Sequence, residues 1–218
     1  MNPPRGTAGP PTRLPPPPRR GRTPSADVAR GLLAAAETVL VRDGPARLTI
    51  RAVAAEAGIA PMGVYTRLGG KDGLVNALLI RGFDWLRAAI ESGRERDLLT
   101  RLLNCGLRYR EFALANPHFY AIMFEDAILH EEKNPQVRQH ANAAFAALVN
   151  VVELCATARV IAAPGPVETA QQIWSAAHGA VALELKGLVL TADPAATYRA
   201  YLSTLVNGLA FALTEQMQ

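Results

Sequence analysis

Residues Leu48–Leu74 read LTIRAVAAEAGIAPMGVYTRLGGKDGL, and this segment carries the strongest structural signals in the 218-residue chain. Thr49 predicts the start of a helix, because its hydroxyl can accept a hydrogen bond from an unpaired N–H of the first turn. Gly58 supplies the positive φ that ends this short helix in a tight bend. Pro61 is suited to the first turn of a second helix, which should reach about Leu68. Two short helices joined by a glycine bend predict a helix-turn-helix, a motif that places its second helix in the major groove of DNA.

The same segment resembles the DNA-binding domain of the tetracycline-repressor (TetR) family of bacterial regulators. The resemblance extends over about residues 25–79 and rests on Ala57-Gly58-Ile59, Val64-Tyr65, Lys71 and Leu74. The chain departs from the usual family pattern at four positions, which are occupied by Ala60, Arg67, Leu68 and Gly70. The resemblance implies a DNA-binding domain of three helices, followed by a helical domain that binds a small effector and forms a dimer.

The candidates for DNA contact lie on and beside the second helix of the motif. Arg67 could bind guanine O6 and N7 or a phosphate, and the sequence leaves both open. Lys71 lies at a helix start, where its charge adds to the helix dipole at a backbone phosphate. Thr49 and Arg51 are expected to hold the opposite phosphate strand. The predicted DNA-binding residues are Thr49, Arg51, Pro61, Met62, Gly63, Tyr65, Thr66, Arg67 and Lys71.

Charge is distributed unevenly along the chain. Residues 1–80 contain 11 Lys and Arg against 5 Asp and Glu, whereas residues 81–218 contain 12 against 14. A basic first third joined to a mildly acidic remainder favours contact with phosphates at one end only. Ordinary surface charge is the alternative interpretation.

The N-terminal segment has the composition of a disordered tail. Residues 1–24 contain nine of the sixteen prolines and five arginines. Such a segment cannot bury enough apolar surface to fold, so we expect it to be disordered or extended. It could be a solubilising tail without a site, or its arginines could reach a neighbouring minor groove.

Apolar periodicity and breaker residues divide the rest of the chain into helices. The expected helices lie at 25–43, from Lys71-Asp72 onward, at 98–115, 117–124, 135–160 and 167–190, and from Asp193-Pro194 almost to the end. Since no segment shows sustained strand alternation, we predict an all-α fold of about nine helices. The expected domains are a tail (1–24), a helix-turn-helix domain (25–79) and a ligand-binding and dimerisation bundle (80–218).

Aromatic residues cluster in the C-terminal part, and such spacing is more often typical of a core than of a pocket. The resemblance implies a ligand pocket here, because TetR-family members usually bind an effector between these helices. Trp174, His178 and Gly179 are similar in spacing to a motif of one TetR subgroup, and Trp174 and His178 share a helix face. A core histidine bonded to a backbone carbonyl is the alternative for His178. The predicted ligand-binding residues are Tyr109, Phe112, Tyr120, Met123, Phe124, Trp174 and His178. Their mostly apolar character favours a small, neutral or weakly polar organic effector.

The last two helices each carry apolar residues on two faces, which indicates two packing partners. One partner is the protein's own core, and the second would be another copy of the chain in a two-fold homodimer. The alternative is a monomer in which both helices are fully buried. The predicted interface residues are Ala176, Ala180, Leu183, Gly187, Leu190, Tyr201, Val206 and Leu213.

Other classes of protein receive little support. The sequence shows no nucleophile motif, metal-ligand spacing or phosphate-binding loop, so we expect no enzyme activity, no cofactor and no metal. Cys105 and Cys155 are expected to be buried thiols. No apolar run reaches transmembrane length and no secretory signal is evident, so no membrane association and a cytoplasmic location are expected.

The predicted function is a dimeric, DNA-binding transcriptional regulator. Its partners would be a palindromic operator in double-stranded DNA and a small organic effector whose binding releases a repressor. One alternative is an activator or a regulator without an effector. Another is a helical small-molecule-binding protein that lacks operator recognition.

Overall fold

The computed structural model describes residues 25–124, 134–163 and 165–216, with side chains from residue 27 to residue 210. This part of the chain forms nine α-helices and one short 3-10 helix and contains no strand, which confirms the predicted fold class. The predicted tail, residues 1–24, lies outside the described residues. The helices are α1 (Ser25–Asp43), the 3-10 helix (Pro45–Arg47), α2 (Ile50–Glu56), α3 (Pro61–Leu68), α4 (Gly70–Glu91), α5 (Leu98–Ala115), α6 (Pro117–Phe124), α7 (Pro135–Thr157), α8 (Pro166–Leu185) and α9 (Pro194–Gln216).

The helix-turn-helix forms as its local signals predict. Thr49 Oγ1 accepts a hydrogen bond from the backbone N–H of Ala52 at 3.1 Å and so caps α2. Gly58 has a φ of 67°, and Pro61 opens α3. Val53 of α2 and Val64 of α3 are fully buried, and together they close the small core that these helices share with α1.

Helix α3, the second helix of the helix-turn-helix, is followed directly by α4. Gly69 has a φ of 74° and serves both as the C-cap of α3 and as the N-cap of α4. This left-handed backbone conformation would be strained for any residue that has a Cβ. The helix begins at Gly70, one residue before the predicted start at Lys71.

Helix α4 connects the two halves of the molecule. It packs against α1 and α3 near its start, and against α5, α6 and α7 further along. Arg81 of α4 pairs with Glu37 of α1 at 3.1 Å and lies 5.0 Å from the ring centre of Trp85. The predicted apolar face is buried throughout and consists of Leu74, Leu78, Phe83, Leu86 and Ile90.

The C-terminal half is a bundle of α5 to α9 arranged around α7. Among the helices that the structure describes, α7 is the one long and apolar enough to cross a membrane by length and composition. Its buried face packs against α4, α5 and α8, which is the arrangement of a core helix in a globular bundle. Cys105 of α5 and Cys155 of α7 are free, buried thiols, as predicted.

Helix α8 is shorter than predicted. We expected it to reach Leu190, but it ends at Leu185. Gly187 has a φ of 68° and donates to the carbonyl of Glu184 at 3.0 Å, while the N–H of Leu188 bonds the carbonyl of Leu183 at 2.9 Å. This pair of bonds is the Schellman arrangement that terminates a helix at a glycine.

Candidate DNA-binding surface and ligand cavity

The candidate DNA-binding surface consists of the nine predicted residues, which lie at the start of α2, along α3 and at the start of α4. Eight of them are exposed, and Gly63 is half-buried. Met62 and Tyr65 of α3 are 70% and 55% exposed. The exposed cations Arg51, Arg67 and Lys71 lie on this same surface. The arrangement suits contact with a polyanion.

Hydrogen bonding separates the two threonines of this surface. Thr49 Oγ1 accepts from Ala52, so its own hydroxyl hydrogen remains a donor for a phosphate oxygen. Thr66 Oγ1 instead donates to the carbonyl of Met62 at 2.9 Å, which occupies its hydrogen within α3. Thr49 is therefore the better phosphate donor of the two.

Gly63 packs against the side chain of Ile59. A Cβ placed on it would lie 2.8 Å from Cδ1 of Ile59, the residue that follows the glycine bend. Ile59 therefore packs closely against α3 at this position, through the flexible end of its side chain.

A cavity of about 420 Å³ lies in the C-terminal bundle, enclosed by α4, α5, α6, α7 and α8. Five of the seven predicted ligand-binding residues line it, namely Tyr109, Met123, Phe124, Trp174 and His178. Phe112 and Tyr120 do not. The wall on α5 is formed by Cys105, Gly106 and Tyr109, and Phe112 lies one turn beyond it in the core.

Tyr120 supports the cavity from behind. The hydroxyls of Tyr109 and Tyr120 lie 2.8 Å and 2.9 Å from His178 Nδ1, and the rings of Tyr120 and His178 are stacked with centres 5.5 Å apart. Burial raises the pKa of Tyr109 far above its usual value, so this phenol keeps its proton. The cluster joins α5, α6 and α8. At His178 Nδ1 the structure places these two hydroxyls and not a backbone carbonyl.

The groove between α8 and α9 exposes the predicted dimer face. Leu183, Leu190 and Tyr201 are 50%, 99% and 42% exposed, and Leu188 joins them at 58%. Gly187 is exposed, whereas Ala176 and Ala180 are half-buried. The side chain of Leu213 lies outside the described residues.

Val206 was assigned to the wrong face. It follows Tyr198 and Leu202 at four-residue spacing, which places all three on the inner side of α9, and each is at most 4% exposed within a single chain. It contributes to the core of the protomer, so we remove it from the interface.

Two family models match the chain. Residues 32–78 match the bacterial regulatory proteins of the tetR family, and residues 102–205 match the tetracyclin repressor-like C-terminal domain. Together they cover more than two thirds of the sequence.

The chain belongs to the TetR family. It is accordingly a DNA-binding transcriptional regulator, and proteins of this family are in general not enzymes. No curated protein matches the sequence. The similarity of Trp174, His178 and Gly179 to one TetR subgroup stays a prediction.

Solved structures share the fold of this TetR-family chain. A protein of unknown function from Rhodococcus sp. RHA1 is 27% identical, with a TM-score of 0.76 over 89% of this chain and 98% of its own. A regulatory protein of the tetR family from Rhodococcus RHA1 is 19% identical, with a TM-score of 0.64 over 84% and 97%. The TetR family transcriptional regulator PfmR from Thermus thermophilus is 15% identical, with a TM-score of 0.63 over 82% and 98%.

Several cavity residues of this TetR-family regulator escaped sequence reasoning. Asn142 and Phe145 of α7 and Gln171 of α8 line the cavity, and none belongs to the aromatic cluster around α6. Asn142 and Gln171 gave little signal in the sequence, because a polar amide on a helix surface is the ordinary case. Phe145 contacts Trp174, with ring centres 5.9 Å apart. Because Trp174 was predicted to line the cavity, an aromatic residue of α7 was a candidate to pack against it.

Proposed function

We propose that the protein is a dimeric, cytoplasmic repressor that releases a palindromic operator when an uncharged, mostly apolar effector occupies the cavity. One observation carries the proposal: α4 forms part of the cavity wall and also follows directly after α3, the proposed DNA-recognition helix. Phe83, Leu86 and Ile90 of α4 line the cavity. Only Gly69 separates α3 from the start of α4. A displacement of the cavity wall therefore acts on the helix that would lie in the major groove.

Helix α6 offers a second connection between the cavity and the DNA-binding half. Met123 and Phe124 near its end line the cavity, and its first turn contacts the 3-10 helix and α1. A Cβ built on Gly44, between those two elements, would lie 3.4 Å from Cε1 of His118. Gly82 of α4 also lies close to α6, since a Cβ there would be 2.6 Å from Met123 Sδ. An occupant that moves α6 is expected to shift α1 and α4 together.

The chemistry of the cavity wall supports an uncharged effector. Among the residues of the described ranges that line the cavity, none is Asp, Glu, Lys or Arg. A charged ligand would lose its hydration there without a partner of opposite charge, which is costly. The lining is mainly apolar and aromatic with a few polar groups, which is the usual composition of a small-molecule site.

The groove between α8 and α9 supports a dimer. Its exposed leucines and Tyr201 would be covered by the same face of a second copy, as two-fold symmetry requires. The proposed axis should hold the two recognition helices about 34–36 Å apart, or a multiple of this spacing, so that the operator is palindromic. The dimer would have a DNA-binding state and a DNA-released state. To change the ratio of released to DNA-binding dimers from 1:99 to 99:1, the effector must bind the released state more tightly by about 5.5 kcal/mol.

The test begins with the intergenic DNA beside the gene. A mobility-shift assay should show a complex with this DNA, and footprinting should show two protected half-sites related by a two-fold axis. A thermal-shift screen of uncharged metabolites and drugs then identifies compounds that stabilise the protein, and these are added to the complex. Release of the DNA supports the repressor. A stabilising compound that leaves the complex intact favours an activator or a regulator without effector control.

Absence of any specific complex has a different meaning. It would favour the remaining alternative, a helical small-molecule-binding protein without operator recognition. Phe124→Ala provides the matched variant for the effector step, because it widens the cavity while leaving the DNA-binding surface untouched. We expect it to weaken the response to the effector and to leave operator affinity nearly unchanged.

A further inference from the structure

We infer that the ligand of the cavity is an uncharged molecule with a polar group at each end, which enters between α7 and α8. Its outer polar group would bind the amides of Asn142 and Gln171, and its inner polar group would bind the hydroxyl of Tyr109. The inference rests on the proposed function, because it specifies the effector of the same cavity. It follows from where the exposed and buried polar groups of the lining lie.

The mouth of the cavity is marked by two amides. Asn142 of α7 and Gln171 of α8 line the cavity and are exposed, whereas the other lining residues are buried or half-buried. The opening therefore lies between α7 and α8. Gln171 donates from Nε2 to Ser175 Oγ at 3.0 Å, which orients its amide along α8. An amide both donates and accepts hydrogen bonds, so this pair matches a hydroxyl, carbonyl or amide group without needing charge.

The inner end of the cavity offers a neutral phenol. Tyr109 lines the cavity and is 4% exposed, and its hydroxyl is held at 2.8 Å from His178 Nδ1. Tyr120, its partner at the same nitrogen, lies behind the wall and fixes the imidazole by stacking. The position of the Tyr109 oxygen is therefore set by three helices before any ligand arrives. Such a preorganised group favours a ligand with a complementary polar atom at that depth.

The space between the two ends is apolar. Aromatic rings form a continuous wall there, since the ring centres of Trp174 lie 5.9 Å from Phe145 and 6.1 Å from Phe124. Leu148 and Ile173 complete the surface from α7 and α8. A ligand body in contact with this wall gains from burial and from aromatic contact, whereas a polar body would lose hydrogen bonds to water.

The volume of the cavity limits the size of the ligand. A cavity of about 150 Å³ in a protein core holds benzene, which has six non-hydrogen atoms. In proportion, about 420 Å³ accommodates roughly 17 non-hydrogen atoms. The class is therefore a compact molecule such as two linked aromatic rings or a short bicyclic frame, with a hydroxyl or carbonyl at either end.

Four biphenyl probes test this class directly: biphenyl, 4-phenylphenol, 4,4′-dihydroxybiphenyl and biphenyl-4,4′-dicarboxylate. The chain has two tryptophans, so Trp85→Phe leaves Trp174 in the cavity wall as the sole reporter of binding by fluorescence. We expect each hydroxyl to tighten binding by about 2- to 10-fold, which is the range for one neutral hydrogen bond. The dicarboxylate should show no saturable binding.

Variants of single residues test where the two polar groups of the ligand bind. Asn142→Ala and Gln171→Ala should each weaken binding of the dihydroxy probe about 2- to 10-fold while leaving biphenyl binding unchanged. Tyr109→Phe should do the same from the inner end. Asn150→Ala and Gln172→Ala are the controls, because both residues are exposed on the same helices and do not line the cavity. These controls should bind all probes as the parent does.

Three results would overturn the inference: equal affinity for biphenyl and its dihydroxy form, tight binding of the dicarboxylate, or absence of saturable binding by every probe. Equal effects of Asn142→Ala and Asn150→Ala would overturn the assignment of the mouth. Operator binding is measured separately on the same samples. If the probes bind with the expected order of affinities but do not release DNA, the ligand class is supported and effector control is contradicted. If only a charged compound releases DNA, effector control is supported and the ligand class is overturned.

Discussion

A Cβ atom placed on Gly73 would lie 1.4 Å from the carbonyl oxygen of Leu68. Leu68 is the last residue of the recognition helix α3, and Gly73 lies in the first turn of α4. The two helices therefore approach each other through backbone atoms, with no room for a side chain. This contact sets the angle between the helix that would read DNA and the helix that reaches the cavity.

We expect Gly73→Ala to lower the free energy of unfolding by about 1–3 kcal/mol or more, because backbone atoms must move to admit the methyl group. Operator affinity should fall with it. Gly31→Ala is the control, since a Cβ at that exposed helical position meets nothing within 4 Å. The control should stabilise the protein by about 0.5–1 kcal/mol. Urea unfolding measures both, and an equal response of the two variants would contradict the contact.

Lys71 and Arg67 are expected to differ in what they contribute to DNA binding. Lys71→Ala should weaken binding to all sequences and reduce the salt slope by about 1, as for one lost phosphate contact. Arg67→Ala should cost about 1–3 kcal/mol if Arg67 reads a guanine. Arg138, an exposed cation at the start of α7, is the control. Fluorescence anisotropy over a salt series measures these effects, and undiminished binding by both variants would exclude this surface as the DNA interface.

Leu183 and Leu154 are similarly exposed leucines on different faces, at 50% on α8 and 46% on α7. Leu183→Glu should bury an unpaired charge in the proposed seam, which is costly, and should therefore produce monomers that bind the operator weakly. Leu154→Glu should leave the dimer intact. Sedimentation velocity at micromolar concentration distinguishes these outcomes. A parent protein that sediments as a monomer at this concentration would refute the dimer itself.

The carboxylate of Glu95 gives the stability a dependence on acid pH. Hydrogen bonds from Asn104 at 2.8 Å and from Arg108 lower its pKa from 4.5 to about 2. Because the folded pKa is the lower one, this stabilisation is fully present above about pH 4.5 and is lost as the pH falls towards 2.

Glu95→Gln should accordingly flatten the fall in unfolding free energy between pH 4.5 and pH 2. Glu153→Gln, at an exposed position on α7, is the matched control and should retain the slope of the parent. Urea unfolding at several pH values measures the difference. A slope that does not change in Glu95→Gln would show that this cluster does not contribute to acid stability.

Local signals explain why most helix boundaries could be predicted. Thr49 and Pro61 act within one turn of their own positions, so the start of α2 and of α3 follows from the residues themselves. The end of α8 shows the limit of this reasoning. Gly187 was predicted to lie within this helix, because apolar residues continue to Leu190, but the left-handed glycine ends the helix instead.

The all-helical fold and the helix-turn-helix were predictable from one sequence, because caps, prolines and apolar periodicity depend on neighbours along the chain. Periodicity also identifies the two faces of a helix, but it does not specify which neighbouring helix each face meets. Packing assigned Val206 to the protomer core and Tyr201 to the exposed groove. Packing also placed Tyr109 in the cavity wall and left Phe112 outside it, because unfilled volume is defined only when side chains from five helices come together.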